Sequence, residues 1–415
     1  MDPIMENQSG LISLDEARRI FFLENSSFQP QREQVKILDS LNRVLAIDIR
    51  SPINLPPFSR SAMDGYAVKS KDTLPASQEQ PVTLRLIGEV AMGSKTDISV
   101  HHGEAALIHT GGMIPDGADS VIILENTSRK KSIFVEVQTP VNAGENVLEK
   151  GEDVKTGDFL VGEGKRIIVE DIAGFLGIGM TDIEVYKSPV IAVLSSGDEV
   201  IPPGKVLQPG QIYDINTGAL SAFIRKHGGV PKSYPIISDN PSELERIAKK
   251  ALNDADAVVF TAGSSASERD ITAEIIAKLG APGVLVHGIA VRPGKPTILA
   301  KCNEKPVIGL PGNPVSALVI ARLFLKPLIH RLTGLNQPAI EPELVGKLSK
   351  PVSSDPTKDE FFPVKISIRE GTCWVEPVFF KSNFIFNLTR SDGLLRVPIG
   401  VSDQAKGCNV SVMLF

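Results

Sequence analysis

The sequence predicts a multidomain protein in which an α/β domain is combined with parts built mainly from short β-strands. Its 415 residues are enough for two to four domains. Between residues 189 and 334, apolar runs alternate with helical segments, a pattern typical of a parallel sheet covered by helices. Outside this region the apolar runs are short and separated by turns, and the chain contains 35 glycines and 30 prolines. We therefore expect substantial β structure on both sides of the α/β domain.

Composition and charge exclude several classes of protein. The formal net charge is −5, and the sequence has no basic stripe of the kind that binds nucleic acid or anionic lipid. The three cysteines are far apart, so neither a zinc ribbon nor a redox dithiol is supported. The N-terminus lacks the basic start and apolar core of a signal peptide, and charges interrupt the longest apolar helical run, residues 315–329. We expect a cytoplasmic protein that binds neither nucleic acid nor membrane.

The α/β domain is organised around residues 189–216. The apolar run Val190–Leu194 predicts a buried strand, and a loop of small residues with two acids follows it. Asn216 is predicted to cap a helix at residues 217–226. In open parallel sheets, ligands bind beyond the carboxyl ends of the strands. We therefore expect a binding site at the residues that follow this strand, which include Ser195, Gly197, Asp198 and Glu199.

Acids also follow two further strands that the pattern predicts in this domain. Asp239 follows a strand predicted at residues 233–237, and Asp270 follows the strand Ala257–Thr261, just before a helix predicted at 271–279. For Asp270 alone, a helix cap is the simpler interpretation. Several acids at one rim nevertheless indicate a site for a divalent cation, because carboxylates are ligands that Mg²⁺ prefers.

Groups suited to phosphate binding are predicted at the same rim. The motif Arg292-Pro-Gly-Lys-Pro places Arg292 and Lys295 around a turn at Gly294. Asn313 as N-cap and Pro314 at the first helical position predict a helix start, where free backbone N–H groups attract anions. Together, these cations and the acids favour a polyanionic ligand bridged by a divalent cation, and thus metal-assisted chemistry on a phosphorylated substrate.

Other catalytic classes lack their motifs. The sequence contains neither a GxSxG nucleophile elbow nor a GxxxxGK[ST] phosphate loop. No GxGxxG follows a predicted strand, which argues against a Rossmann dinucleotide site, and the six histidines form no evident catalytic triad.

Two loops in the β-rich part of the chain are open to two interpretations. Residues 51–68 contain a cluster of Ser59, Arg60, Ser61 and Asp64 before a glycine turn, so they form either a surface loop or an anion or metal loop. Residues 151–158 carry Glu152 and Asp153, and a solvated hairpin is the simpler interpretation there.

Six motifs occur in the order in which they occur in the molybdopterin molybdenumtransferases, bacterial relatives of the E domain of gephyrin. The chain resembles this family from about Leu11 to Leu414. The motifs are SAMDGYA at 61–67, GED with a following Gly at 151–157, LSSGDE at 194–199, IYDIN at 212–216, RPGKP at 292–296 and LPGNPVSA at 310–317. Each motif is weak alone, but six in order are specific.

The resemblance implies an elongated subunit of four parts. These are a discontinuous N-terminal domain at residues 1–50 and 154–187, a β-rich module at 51–153, a three-layer α/β molybdopterin-binding domain at 188–334 and a C-terminal β-barrel at 335–415. It also implies a homodimer, in which the loop that carries Asp64 in one subunit faces the α/β domain of the other.

The resemblance further implies an Mg²⁺-dependent reaction that converts adenylylated molybdopterin and molybdate into molybdenum cofactor and AMP. Glu199, Asp239 and Asp270 would bind Mg²⁺ or position the adenylyl phosphate, and together with Asp64 they would be the catalytic residues. The implied substrate-binding residues are Thr110, Asp153, Ser195, Gly197, Asp198, Asp214, Asn216, Arg292, Gly294, Lys295, Pro311, Gly312, Asn313 and Ser316.

The chain departs from the family pattern at several positions. Ser264 and Ser267 lie in a loop that is usually glycine-rich, Arg292 stands where Lys is common, and Pro363 stands where Arg is frequent. Arginines that often precede the GED motif are replaced by Leu148, Glu149 and Lys150. Three alternatives therefore stay open, namely a non-catalytic pterin-binding scaffold, a tungstate-specific paralogue, and a hydrolase of nucleotides or pyrophosphates. The retained acids argue against the scaffold, because a pure binder has no need for them.

Overall fold

The structure is a computed structural model that describes residues 11–130, 133–261, 266–336, 343–378, 381 and 383–415. For residues 130 and 266–270 it describes the backbone alone.

The part of the chain that precedes the α/β domain consists mainly of short strands. Its helices are α1 (Leu14–Glu24), α2 (Ser70–Thr73) and α3 (Val169–Gly177), with 3₁₀ turns at Ile37–Asp39 and Leu124–Asn126. Its strands are β1 (Arg32–Lys36), β2 (Ile49–Arg50), β3 (Arg60–Ser61), β4 (Gly65–Val68), β5 (Val82–Glu89), β6 (Glu104–Ile108), β7 (Ser120–Ile123), β8 (Thr127–Lys130), β9 (Phe134–Val137), β10 (Val147–Leu148), β11 (Phe159–Val161) and β12 (Asp182–Tyr186).

Six of these strands form one sheet, in the order β7-β4-β6-β5-β9-β8. All neighbours in it are antiparallel except β5 and β6. Tyr66 and Val135 face one apolar cluster, while Ile108 and Val121 face another. This sheet confirms the β-rich structure that the short, turn-separated apolar runs predict.

Two antiparallel pairs join segments that are distant in the sequence. Strand β1 pairs with β12, and β2 pairs with β11. Helix α3 packs here, because Phe175 lies in an apolar cluster with Ile37, Leu45 and Val185. The segments around residues 32–50 and 159–186 therefore share one small core.

The α/β domain contains a second sheet of six strands. Its strands are β13 (Val190–Ser195), β16 (Val230–Ser233), β17 (Ala257–Thr261), β18 (Pro282–His287), β20 (Ile298–Cys302) and β21 (Lys305–Leu310). Short strands β14 (Val200–Ile201), β15 (Ile212–Tyr213) and β19 (Val291–Arg292) lie in its connections. Its helices are α4 (Asn216–Lys226), α5 (Pro241–Asp254), α6 (Ala266–Lys278), α7 (Pro314–Ile320) and α8 (Lys326–Leu332).

The sheet has the order β16-β13-β17-β21-β20-β18. Strands β16, β13, β17 and β21 are parallel, whereas β20 and β18 run antiparallel to their neighbours. Residues of α4 and α7 cover one face, and residues of α5 and α6 cover the other. The predicted three-layer α/β arrangement is confirmed, with two antiparallel strands added at one side of the sheet.

Helix α1 packs on this α/β domain, although it lies near the start of the chain. Its residues Leu14, Ala17 and Phe21 are fully buried and share an apolar cluster with Val286 and Leu299 of the sheet. The hydroxyl of Ser13 caps the helix by accepting a hydrogen bond from the N–H of Glu16 at 3.3 Å.

Three local predictions in the α/β domain were wrong. The edge strand β16 spans Val230–Ser233 rather than residues 233–237. Helix α6 begins at Ala266, so Asp270 lies inside it and does not precede it. Helix α4 begins at Asn216 itself, which is therefore not the cap.

The long helix that follows Pro314 is interrupted by a π-helical turn at Ala321–Leu325, placed between α7 and α8. Pro327 is the second residue of α8, which follows this turn. Proline lacks a backbone donor and its ring clashes with the preceding turn. A wider turn at this point accommodates such a residue within a continuous helix.

The C-terminal region contains a closed β-barrel. Strands β24, β25, β22, β28 and β26 pair in that order, and β26 pairs with β24 again. The barrel surrounds an apolar cluster that includes Val364, Val375 and Val412. The elements are β22 (Glu343–Leu348), β23 (Val352–Ser353), β24 (Asp359–Arg369), β25 (Thr372–Pro377), α9 (Ile385–Thr389), β26 (Gly393–Val397), β27 (Asp403–Gln404) and β28 (Asn409–Leu414). The predicted C-terminal β-barrel is confirmed.

Within the described ranges, no helix has both the length and the apolar character that crossing a bilayer requires.

Replacement of Phe21 by alanine tests the packing of α1 on the sheet. Phe21 is fully buried, so Phe21→Ala should lower the free energy of unfolding by about 3–5 kcal/mol through lost burial and the cavity left behind. Leu23 on the same helix is 60% exposed, and Leu23→Ala should change the free energy of unfolding by less than about 0.5 kcal/mol. Urea denaturation followed by circular dichroism measures both changes. Equal effects of the two variants would contradict the packing.

Candidate functional site

The carboxyl ends of three central strands lie side by side at one edge of the α/β sheet. Ser195 at the end of β13 is paired with Thr261 at the end of β17, which in turn is paired with Leu310 at the end of β21. The loops that follow these strands therefore begin next to one another at this edge of the sheet. Ser195 itself is buried, at 4% exposure, as is Pro311 in the loop after β21. The predicted convergence of strand ends at one rim is confirmed.

Two of the predicted acids are brought together at this rim. The N–H of Asp198 donates to Oδ2 of Asp239 at 3.3 Å, and the N–H of Asp239 donates to Oδ1 of Asp198 at 3.2 Å. This reciprocal pair joins the loop after β13 to the segment after β16. It holds the exposed Asp198 and the half-buried Asp239 at the same rim, and a cation there would reduce the repulsion between their two negative charges.

Glu199 folds back over Gly197. A Cβ atom at Gly197 would lie 2.7 Å from Oε2 of Glu199, closer than two such atoms can approach. Gly197 also has φ +145°, a conformation that residues with side chains rarely adopt. The glycine is therefore required for the half-buried position of this carboxylate.

Asp214, rather than Asn216, caps helix α4. Its Oδ1 accepts from the N–H of Thr217 at 3.0 Å, and its Oδ2 accepts from the Thr217 hydroxyl at 2.6 Å. Asn216 instead donates through Nδ2 to the carbonyl of Gly312 at 2.8 Å. This bond ties the start of α4 to the loop that precedes α7. The predicted substrate-binding roles of both residues stay predictions.

The loop before α7 forms another side of the rim. Asn313 is the N-cap of α7 and Pro314 its first residue, as the sequence predicts. Ser316 in the first turn is buried, at 4% exposure. The N–H groups at such a helix start have no partner within the helix and can bind an anion.

The RPGKP loop is tightly closed. Gly294 has φ +131°, and a Cβ atom there would lie 2.4 Å from Cδ1 of Ile320. Its carbonyl accepts from the Thr297 hydroxyl at 2.7 Å. The carbonyl of Lys295 accepts from the N–H of Ile289 at 2.9 Å, and its side chain is exposed. The loop therefore presents Lys295 to solvent from a fixed backbone.

Arg292 has a partner that the sequence did not indicate. Its Nη1 donates to Oε1 of Glu360, on barrel strand β24, at 3.0 Å. The Glu360 side chain is only 2% exposed, whereas that of Arg292 is 70% exposed. The two residues are 68 positions apart, so neither spacing nor a local motif could reveal the contact.

Asp64 and Thr110 form a second polar cluster, in the β-rich sheet. Oδ1 of Asp64 accepts from the N–H of Thr110 at 2.7 Å and from its hydroxyl at 3.0 Å. These bonds, the backbone one first, hold the pKa of Asp64 below its usual range, because they stabilise the ionised carboxylate.

His109 and Glu89 extend this cluster and were missed by sequence reasoning. Nδ1 of His109 lies 3.9 Å from Oδ1 of Asp64, and its Nε2 lies 2.9 Å from Oε1 of Glu89. The one available signal was the position of His109 next to Thr110 in the chain. Asp153 lies elsewhere, in an exposed loop where its N–H donates to the carbonyl of Leu55 at 3.0 Å.

The three acids predicted to bind Mg²⁺ are Glu199, Asp239 and Asp270, and the structure describes the side chains of the first two. Asp270 lies in α6, but its side chain and Ser264 lie outside what the structure describes. Among the described residues, no group of three His, Cys, Asp or Glu side chains is arranged to hold a metal ion. The assignment of Glu199, Asp239 and Asp270 to Mg²⁺ therefore stays a prediction. The paired carboxylates of Asp198 and Asp239 do supply hard oxygen donors at this rim, which fit such a cation.

Comparison with known proteins covers almost the whole chain. Residues 12–179 match the family model of the MoeA N-terminal region (domain I and II), residues 192–331 that of the "Probable molybdopterin binding domain", and residues 345–415 that of the MoeA C-terminal region (domain IV).

Curated relatives and solved structures agree with these matches. The molybdopterin molybdenumtransferase of Bacillus subtilis is 31% identical, over 97% of this chain and 94% of its own. That of Nostoc is 31% identical, over 93% and 89%. A crystal structure of the molybdopterin biosynthesis MoeA protein from Pyrococcus horikoshii is 36% identical, with a TM-score of 0.82 over 97% of this chain and 99% of that one.

The titration of Asp64 tests the Thr110 contact. We expect its carboxyl to titrate below the usual range for aspartate, since both bonds favour the charged form. In Thr110→Val one of the two donors is lost, so the pKa of Asp64 should rise, while the backbone N–H still keeps it lowered. Carbon NMR of aspartate-labelled protein measures this change. Thr156→Val, which removes a hydroxyl hydrogen-bonded to Asn54, is the control and should leave the pKa of Asp64 unchanged.

Proposed function

The chain belongs to the MoeA family of molybdopterin molybdenumtransferases, and from this premise we propose that it catalyses a step of molybdenum cofactor biosynthesis. In this proposal it inserts molybdate into adenylylated molybdopterin and releases AMP, with Mg²⁺ as cofactor. The homodimer and the cytoplasmic location stay predictions that go with it.

The observation that carries the proposal is the reciprocal hydrogen bonding of Asp198 and Asp239 at the strand-end rim. A site that only had to hold a neutral ring would gain nothing from two carboxylates held at the same rim. A substrate with a phosphoanhydride and a bound cation would match such an arrangement, because the cation neutralises both the carboxylates and the phosphates.

The remaining groups of the rim suit the other parts of this substrate. The exposed cations Arg292 and Lys295 would neutralise phosphate oxygens, and the N–H groups at the start of α7 would accept an anion. Gly197 and Gly294 leave room for the close approach of side chains and backbone. Asp64 and Thr110, on the other sheet, would contact molybdate or the water that hydrolyses the anhydride.

Glu199, Asp239 and Asp270 would hold Mg²⁺, which would supply charge neutralisation at the phosphoanhydride. The residues of the chain itself would orient the substrate. Arg292 and Lys295 would fix the phosphate, and the loop tied by Asn216 and Gly312 would place the anhydride near the acids. Hydrolysis of the anhydride by one water would then release AMP as the metal enters the dithiolene.

Release of AMP from adenylylated molybdopterin is the direct test. The purified protein is given this substrate and Mg²⁺ together with molybdate, with tungstate or with neither oxyanion. We expect oxyanion-dependent AMP release and formation of active cofactor, and the preferred oxyanion decides between the molybdate enzyme and a tungstate-specific paralogue. Tight pterin binding without release would support the scaffold alternative, and release from ADP-linked compounds that lack pterin would support the hydrolase.

Glu199 is the residue whose replacement should separate catalysis from folding. Glu199→Gln removes the charge of a half-buried carboxylate at the rim, and we expect AMP release to fall by a factor on the order of 100 or more. Glu245→Gln on α5, which only loses an ion pair with Lys249 at 2.6 Å, is the matched control. It should keep full turnover, as exposed pairs of this kind contribute little. Normal turnover in Glu199→Gln would remove this residue from the mechanism.

A further inference from the structure

The C-terminal barrel reaches into the phosphate-binding side of the rim through one buried carboxylate. The geometry points to Glu360 as a positioning residue that holds the Arg292 guanidinium in the orientation in which it binds a substrate phosphate. This inference rests on the proposed function, because it takes Arg292 to bind phosphate. It adds a residue of the barrel to the proposed phosphate-binding groups Arg292 and Lys295, which lie in the α/β domain.

The first support is the way in which the two segments are paired. The short strand β19 pairs in parallel with β24, so that Val291 lies opposite Asp359 and Arg292 lies opposite Glu360. The N–H of Asp359 also donates to the carbonyl of Ala290 at 3.0 Å. The backbone immediately before the RPGKP loop is thus fixed to the barrel, and the two side chains start from neighbouring positions.

The second support is the contrast in burial. The carboxylate of Glu360 is 2% exposed and needs a charged or hydrogen-bonded partner, which Arg292 provides at 3.0 Å. The Arg292 side chain is 70% exposed, so it can still contact a ligand. A guanidinium carries five N–H donors, and Glu360 accepts from Nη1. One group can therefore be oriented by protein and bind phosphate simultaneously.

The third support is that the rest of the loop is already rigid. Gly294 packs against Ile320, its carbonyl accepts from Thr297, and the carbonyl of Lys295 is bonded to Ile289. Since the backbone is fixed, the long Arg292 side chain is the part whose freedom would have to be lost on binding. The contact with Glu360 restricts the Arg292 side chain before the ligand binds. Less conformational entropy is then lost on binding, so the site is preorganised.

The neighbouring residue offers a matched control. Asp359 is on the same strand, is also 2% exposed, and accepts from Nε of Arg396 at 2.8 Å. Arg396 belongs to barrel strand β26, so this ion pair joins two strands of the barrel. Removal of either buried charge perturbs the same strand, but only one of the two carboxylates holds Arg292.

The experiment compares Glu360→Gln and Asp359→Asn in the full-length protein, by steady-state AMP release and by thermal unfolding. We expect Glu360→Gln to raise the KM for adenylylated molybdopterin by about 2- to 10-fold, the effect of immobilising one long side chain, with kcat changed by less than about 2-fold. Asp359→Asn should leave KM unchanged, even if it lowers the unfolding temperature by as much as Glu360→Gln does. Equal KM values for the two variants would overturn the inference.

A double mutant tests whether the effect passes through Arg292. Arg292→Gln should raise KM by itself, and Glu360→Gln added to it should cause no further increase, because the residue that Glu360 orients is absent. Independent, multiplicative increases would overturn the positioning role.

Titration with inorganic pyrophosphate separates this inference from the proposed function, since it needs no turnover. Weaker pyrophosphate binding in both Arg292→Gln and Glu360→Gln, in a protein that releases no AMP, would support the positioning role and overturn the proposed reaction. Normal AMP release in the wild type with an unchanged KM in Glu360→Gln would support the proposed reaction and overturn the positioning role of Glu360.

Discussion

The burial of both faces of β13, β17 and β21 determines where this protein can carry out chemistry. Alternate residues of these strands enter two apolar cores: Val193 and Val259 face one, while Leu194 and Phe260 face the other. A polar side chain within either face would have to find a hydrogen-bond partner inside an apolar core. Polar groups are therefore confined to the strand ends, where the loops after Ser195, Thr261 and Leu310 begin next to one another.

The same constraint explains which parts of the fold could be predicted from the sequence. Strands that are buried on both faces appear as continuous apolar runs, so Ala257–Thr261 was predicted with its observed bounds. The edge strand β16 is mostly exposed and has no such run, and its position was wrong. At α4, Asp214 competes with Asn216 for the capping role, and composition could not decide which side chain reaches the free N–H.

The site could be predicted as far as its residues follow the strands. Asp198 and Asp239 were both selected from their positions after predicted strands, although the strand before Asp239 ends at Ser233, and the structure joins the two residues by hydrogen bonds. Glu360 could not be found in this way, because its link to Arg292 depends on a pairing between two strands of different domains. Likewise, the contact of His109 with Glu89 spans 20 positions and links the residue after β6 to the end of β5. Sequence motifs locate individual groups, whereas partners depend on tertiary packing.

The contact between Arg292 and Glu360 also gives a physical reason for an arginine, rather than a lysine, at position 292. An ammonium is a compact charge, and a close carboxylate would occupy and neutralise much of it. The planar guanidinium spreads its charge over several donors, so Nη1 can bind Glu360 while other N–H groups stay accessible. Arginine at position 292 is thus compatible with both a buried barrel carboxylate and a phosphate ligand. The arginine and its contact with the barrel therefore belong to one arrangement.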